Sequence, residues 1–584
     1  MAIKKYVADA DNTIVNAYEP NLKTRGTGAN TGEADILETF SVYRRQSSGS
    51  QELSRILIKF PITDISTDRT NGDVPTSGNV SFYLRMYNAE HSKTVPRDYT
   101  LSIYTVSQSW QEGVGLDLEG YKDLTNGTDG SNWMSASRTA YWTDINDTLL
   151  VGGSYITGNE PNGTGDNNDV DTPIFIFNKS FSTGLEDLKI DVTPVIEQWI
   201  AGTYSNYGFG IHLSASYEAF YSGSANSVTS RNPGQLALDA DDSTQSVIYN
   251  PSGSIVSYYT KRFFARGTEF FFKKPSIEAR WNDAAADDRG NFFFSSSLAP
   301  TDKNINTIYM YNYVDGKLTD IPHLGTHKRV YVSIYSGSTG GFYDVQGGGD
   351  GDDVAPSDIP VSGATAANTG SVQFLAVDDE GHVRAANKTV ITGGIVSTGV
   401  YSASFAFTGA TLLKTIYDVW FTGSHSTKNA SDAITQYFTG AIDCNTVRPR
   451  NRAGRPSYYM NITNLKDKYR ADENARFNLY VRDKYWNPTA YTVANLNADT
   501  TNVISASYRV YRTLDAYDAI PYGTGSDLHT LMSYDVSGNY FDLSMKLLEP
   551  GYEYAFKFSF YDNALNSWVE QPDIFKFRVE DYEH

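Results

Sequence analysis

Several stretches of this chain alternate apolar and polar residues so strictly that an extended backbone is the conformation that suits them. Residues 53–60 (LSRILIKF), 80–87 (VSFYLRMY), 100–106 (TLSIYTV), 477–482 (FNLYVR) and 504–511 (ISASYRVY) all repeat with a period of two. That period places successive side chains on opposite faces of a strand. The stretches are rich in the β-branched and aromatic residues that fit a pleated surface. Tracts of Gly, Ser, Asn and Asp separate them, such as NGTDGSN and NGTGDNND. The 42 Tyr and 29 Phe follow the same pattern. The expected fold class is therefore all-β. At 584 residues the chain outgrows one hydrophobic core, and about three or four domains are expected.

One stretch breaks the period. Residues 188–202 (LKIDVTPVIEQWIAG) begin as a strand, with Leu188, Ile190 and Val192 alternating, and then switch to a helix. Thr193 suits the N-cap and Pro194 the first helical position, where its missing N–H costs nothing. Val195, Ile196, Trp199 and Ile200 share one face, and Gly202 is placed to end the helix in a left-handed conformation. Thr193, Pro194 and Trp199 are thus expected to cap and pack a short helix.

Composition sets the boundaries. Residues 1–281 read as one domain and 282–303, with its Ala-Ala-Ala-Asp-Asp and Ser runs, as a linker. Residues 304–447 and 458–584 read as two similar β units joined by an Arg-rich linker at 448–457. From Gly399 to Gly538 their rhythm is about 140 residues. Leu548-Glu-Pro-Gly-Tyr-Glu-Tyr554 has the spacing of a tyrosine corner, in which the Tyr554 hydroxyl bonds backbone a few residues upstream. Two immunoglobulin- or fibronectin-like β-sandwiches in tandem are expected.

The first 281 residues carry an ordered series of short motifs: SRILIKFPI, VSFYLRMY, IYTVSQSWQEG, IDVTPVIEQWIAG, GFGIHL and FFARGTEFFFKKPSIEARW. In this order they resemble the DNRLRE family, and the resemblance implies a jelly-roll-like β-sandwich with a carbohydrate-binding role. The family's usual Tyr-Ser-Arg-Glu appears here as Phe264-Ala265-Arg266-Gly267. The opening stretch, TIVNAYEPNLKTRGTGANTGEADILETFSVY with SQELSRILIKFP, is similar to structural proteins of tailed phages, particularly marine T4-like ones. That similarity implies a virion component.

A formal charge of −20 and a pI near 4.8 argue against binding a nucleic-acid backbone or an anionic membrane surface, since both need a cationic face. The start, MAIKKYVADADNTIV, lacks the apolar run of a signal peptide, so synthesis in a host cytoplasm and residence in a virion are expected. The single cysteine, Cys444, excludes an intrachain disulfide framework.

Candidate sites are few. Trp133, Tyr141 and Trp142 sit in a loop-rich region where aromatic rings can form a glycan-stacking platform, whereas Trp110 and Trp199 read as core. Asp166, Asp169 and Asp171 alternate so that their carboxylates can converge on Ca²⁺, and no other cofactor is expected. The acidic loop at 347–353 reads as solvated. His323 and His327 read as loop residues without metal, because Gly325 lies between them. Arg448, Arg450, Arg452 and Arg455 form a basic cluster suited to docking an acidic neighbouring subunit. No nucleophile elbow, P-loop, dinucleotide fingerprint or zinc spacing is present, and Cys444 has no partner that would make it a nucleophile.

The expected function is that of a non-enzymatic structural protein of a phage virion, associated with the tail, neck or baseplate. Its expected partners are other virion proteins, including further copies of itself, and a host surface glycan. The alternatives are a capsid decoration protein, a glycan-binding adhesin module and, more weakly, a polysaccharide depolymerase.

Overall fold

The computed structural model describes residues 2–23, 25–44, 50–91, 96–116, 130–144, 146–156, 176–222, 246–293, 305–322, 324, 329–336, 376–377, 383–384, 390–405, 415–422, 435–444, 457–485, 500–524, 527–563 and 565–581. Those residues are all-β with two short helices, and they fall into two compact units, Ala2–Asn282 and Asp283–His584.

The first unit contains strands β1 (Ile3–Val7), β2 (Ala10–Val15), β3 (Ile36–Arg44), β4 (Ser50–Lys59), β5 (Val80–Met86), β6 (Tyr99–Thr105), β7 (Ile176–Phe181), β8 (Leu188–Asp191), β9 (Phe209–Leu213), β10 (Tyr258–Phe264) and β11 (Ser276–Trp281). Helix α1 spans Ile62–Asn71 and α2 Thr193–Ile200. Four strands form one sheet in the order β1-β11-β5-β8. The other seven form a second, β10-β3-β4-β9-β6-β7 with β2 also on β4. Phe82, Leu84 and Ile277 of the small sheet and Ile56, Ile58, Leu101, Ile103 and Ile211 of the large one share a buried core. The alternation seen in the sequence does this directly. In β5 the even residues Val80, Phe82, Leu84 and Met86 are buried, and the odd ones are half-exposed.

Helix α2 lies at one end of this core, where Val195, Ile196 and Trp199 are buried and the Trp199 ring sits 5.0 Å from Phe209. Gly202 follows it at φ +71°, as expected, and its N–H bonds Trp199 O. The start differs from expectation. Val192 occupies the cap position, and no side chain caps the helix. The Thr193 hydroxyl is engaged sideways instead, donating to Asp191 Oδ1 at 2.6 Å and accepting from the Phe82 backbone N–H at 2.8 Å. Pro194 remains in the first turn. Helix α1 has no signature in the sequence, because ITDISTDRTN buries only Ile62 and Ile65 and carries no helical stripe. It is held to α2 by a bidentate pair, Arg69 to Glu197, with both contacts at 2.7 Å.

The second unit opens with β12 (Asn306–Tyr311), the hairpin β13 (Tyr313–Val314) and β14 (Lys317–Leu318), β15 (Arg329–Ser336), and the hairpin β16 (Ala376–Val377) and β17 (Val383–Arg384). Strands β18 (Val390–Ser397), β19 (Val400–Phe405), β20 (Thr415–Thr422) and β21 (Thr435–Asp443) follow. Six of these described strands form one sheet, β12-β19-β18-β15-β20-β21, and the two hairpins form two-stranded sheets of their own, where two facing sheets had been expected. The remaining strands are β22 (Tyr458–Ile462), β23 (Lys468–Arg470), β24 (Asn474–Asp483), β25 (Ala506–Arg512), β26 (Asp518–Ile520), β27 (Ser533–Asp535), β28 (Gly538–Ser544), β29 (Glu553–Asp562), β30 (Ser567–Glu570) and β31 (Phe575–Glu580). They divide into sheets β22-β24-β28-β27 and β23-β31-β29-β25-β26, with β30 on β29. Phe477 and Phe541 from one sheet meet Tyr508, Phe556 and Phe577 from the other at ring separations of 4.2–6.2 Å, so the aromatic richness is spent on this core. The rhythm from Gly399 to Gly538 marks two positive-φ turn glycines in sheets of different order.

Residues 283–293, part of the stretch 282–303 whose composition suggested a linker, pack inside the second unit. A 3₁₀ turn at Asp288–Asn291 and the buried ring of Phe292 fix this segment against β12 and β27. Arg289 donates to Asp418 of β20 through Nη1 and Nη2, at 2.5 and 2.6 Å. Asp288 accepts from the Tyr534 hydroxyl at 2.7 Å, and Ala286 bridges Tyr534 in parallel. The small Ala side chains let the backbone come close, and the acids find donors.

Candidate functional site

The large sheet of the first unit is covered on both faces. On β4, Ile56 and Ile58 face the core shared with the small sheet, while Leu53 and Leu57 face the opposite way, into a second apolar cluster. Loop residues supply the other wall of that cluster: Trp133, Met134, Ala136, Trp142 and Val151. This overturns the stacking platform expected of Trp133 and Trp142. Both indoles are fully buried. Their N–H groups donate to Ser246 O and Asn132 O, each at 2.8 Å, which satisfies the one polar atom of each ring. Tyr141 is half-buried beside them, and Gln108 bonds its carbonyl. Trp110 packs against the edge of the same cluster and donates to Tyr207 O. Sequence alone cannot tell a loop that lies over a sheet from one that faces water.

Beneath the loop layer lies an ion pair that no motif announced. Arg55 of β4 contacts Glu218 through Nε and Nη2, at 2.9–3.1 Å, and donates to Gly152 O. Burial pushes the Glu218 carboxyl up, but Arg55 and His212 outweigh it and hold its pKa at about 2. Burial and the Arg55 charge lower the pKa of His212, so its ring is neutral. Its Nδ1 lies 2.7 Å from Leu213 O and 3.3 Å from Glu218 Oε1, both acceptors, so this nitrogen carries the proton. The ring stacks on Tyr104 at 4.8 Å. A fully paired cluster with its imidazole held neutral is a fastener between β4, β9 and the loop layer.

A second cluster joins two of the quoted motifs. Arg266, from FFARGTE, pairs with Glu112, from SWQEG, at 2.5 and 2.7 Å. Glu112 also accepts from Asp11 N, and Arg266 N donates to Asp11 Oδ2. Asp11 is fully buried. Burial, aided by the charge of Glu112, pushes its pKa up to about 7 despite the Arg266 contacts.

The outer face of the small sheet differs in character. Val7, Ser276, Arg85 and Lys189 lie in register across its four strands, and Lys5, Glu278, Tyr83 and Asp191 form the next row. Glu278 is buried and contacts Arg280 at 2.6 Å and Lys5 at 3.3 Å. Burial works against its ionisation, but these cations and Arg85 hold its pKa at about 2. Lys189 covers the Tyr83 ring, and Arg85 and Lys273 cover that of Tyr87.

Of the other expected sites, Asp166, Asp169 and Asp171, the loop at 347–353, His323, His327 and the cluster Arg448, Arg450, Arg452 and Arg455 lie outside the described residues. Burial and neighbouring Asp443 push the Cys444 thiol up to about 12, which suppresses the thiolate. Tyr554 is buried and its hydroxyl donates to Glu549 O at 2.9 Å.

No family model and no curated protein matches this sequence. Among solved structures, DIP-gamma IG1+IG2 is similar at 11% identity over 37% of this chain and 84% of that one, with a TM-score of 0.10. A DUF4785 family protein from Legionella pneumophila is similar at 7% identity over 94% and 90%, with a TM-score of 0.12. Trypsin-activated alpha-2-macroglobulin from Escherichia coli is similar at 9% identity over 85% of this chain and 29% of that one, with a TM-score of 0.14. Scores this low carry no argument about arrangement or activity.

Proposed function

We propose that this chain is a non-enzymatic structural protein of a phage virion, associated with the tail, neck or baseplate, and that it works by presenting rigid β modules to neighbouring subunits. In this reading the first unit is a jelly-roll-like sandwich of the DNRLRE type, and residues 458–584 are an immunoglobulin-like sandwich. Two features support the second assignment: the parallel pairing of β23 with β31 in a two-sheet module and the hydrogen bond of Tyr554 at the start of β29.

The observation that carries the mechanical reading is the Arg289–Asp418 joint. There a buried bidentate pair, with Asp418 also accepting from Trp420 Nε1 at 2.7 Å, locks the 283–293 segment to the six-stranded sheet. Buried charge spent on a joint serves shape. The phage assignment itself rests on the resemblance of the opening stretch, and the glycan-binding alternative loses its platform with the burial of Trp133 and Trp142. Mass spectrometry of purified particles tests the proposal. The chain is expected at stoichiometric abundance in intact virions, and its absence from them would end the reading.

A further inference from the structure

One rim of the first unit is built unlike the rest of its surface. The turn between β10 and β11 places Phe270 and Phe271 side by side, 53% and 38% exposed. Phe270 is braced edge-on by Phe264 at 5.4 Å, and Phe271 by Phe272 at 5.1 Å. The turn also carries Lys273, whose ammonium lies 5.2 Å from the centre of the Tyr87 ring. Directly beyond it runs the row Val7–Ser276–Arg85–Lys189, in which Val7 is 42% exposed. Phe270 and Phe271 therefore form a small exposed apolar ridge, and Lys273 of the same turn shares the Tyr87 ring with Arg85, which has Lys189 in register beside it. The carboxylates that face Arg85 are Glu278 and Asp187, and Lys5 and Arg280 already contact Glu278.

Adjacent exposed phenylalanines are uncommon on a monomer's surface. Aromatic anchors with Arg beside them are the composition of interface hot spots. Here the neighbouring rings of Phe264 and Phe272 brace the pair, which lowers the ordering cost of association. Charge selects the occupant. The chain carries −20 overall, so a locally cationic rim finds its complement on the acidic surface of the same protein.

We propose that this rim is an oligomerisation surface that docks onto an acidic face of a second copy of the chain. The contact joins unlike surfaces, so it is heterologous and propagates head to tail into a ring or a filament. It deepens the reading that the chain presents its modules to neighbouring subunits, by making one of those neighbours a second copy, and rests on that part alone.

The test is size-exclusion chromatography with light scattering on the full chain, over a range of concentrations at low and high salt. Wild type should exceed the mass of one chain and associate more weakly as salt rises. The double variant Phe270→Ser/Phe271→Ser, whose altered side chains are exposed, should keep the wild-type melting temperature and associate about tenfold more weakly or worse. Lys273→Glu should weaken association at low salt and much less at high salt. A wild type that is monomeric throughout, or a double variant with wild-type mass, would overturn the proposal. So would ridge-dependent binding to phosphatidylglycerol vesicles without self-association, which would assign the ridge to a lipid surface. Detection in virions is read separately, so this proposal can fail while the virion reading stands.

Discussion

At the scale of single residues, the first unit stores buried charge of two opposite kinds. Glu218 and Glu278 have pKa values held at about 2, below the ordinary 4.5. Their contribution to stability is fully present above pH 4.5 and is lost as pH falls toward 2. Asp11 has the reverse sign. Its pKa of about 7 lies above the ordinary 3.8, so the fold holds the proton more tightly, and ionisation costs stability as pH rises from 3.8 through 7. Acidification from neutrality should therefore first stabilise the unit and then, below about pH 4.5, destabilise it. Urea unfolding across pH checks this. Asp11→Asn should flatten the neutral-side slope. Glu218→Gln should abolish part of the acid-side loss and lower the plateau by about 3–5 kcal/mol, because Arg55 is left buried without its counter-charge. A profile flat from pH 7 to pH 5 would mean that Asp11 does not titrate as its burial dictates.

At the scale of elements, Thr193 shows how a correct residue can hold a different post. Its composition and position say N-cap, yet its hydroxyl joins the start of α2 to β5 through Phe82 N. Thr193→Val keeps the shape and removes both hydrogen bonds, leaving the Phe82 N–H unpaired in a part-buried position. The expected cost is about 1–3 kcal/mol in thermal or chemical unfolding, while Thr193→Ser should stay near wild type. Equal stability of the Val variant would show that apolar packing of Trp199 alone holds the helix. The strand of the first unit at 80–87 was readable because one face of it is buried and the period follows from that, while those at 53–60 and 100–106, covered on both faces, were readable from their β-branched and aromatic content. Helix α1 was not, because a helix anchored by two isoleucines and an Arg69–Glu197 pair leaves no periodic trace.

At the scale of the whole molecule, residues 283–293 matter most to the proposed mechanics. Arg289→Ala would leave Asp418 fully buried with no cation, at an expected cost of about 3–5 kcal/mol. Calorimetry of the full chain should show the transition of Asp283–His584 moving down in temperature while that of Ala2–Asn282 stays. If neither moves, the joint contributes no stiffness and the mechanical reading loses its support. The candidate site was the least readable part. Trp133 and Trp142 lie in a polar, Gly-rich tract, and such tracts usually face solvent. Here the tract covers a sheet whose outer face is itself apolar, so the indoles are drawn inward.

Local order came from the sequence by itself: the all-β class, most strands, the short helix α2 with its terminal Gly202, and the spacing that carries Tyr554 to Glu549. These depend on neighbours a few residues apart, and periodicity records such neighbours. The tertiary structure alone decided which face of a strand meets which loop. It also decided that Arg55 finds Glu218, that Arg266 finds Glu112, and that an Ala- and Asp-rich segment becomes a clasp. Those pairs stand 163, 154 and, for Arg289 with Asp418, 129 residues apart. A charge in sequence names no partner until folding removes the water that would otherwise serve it.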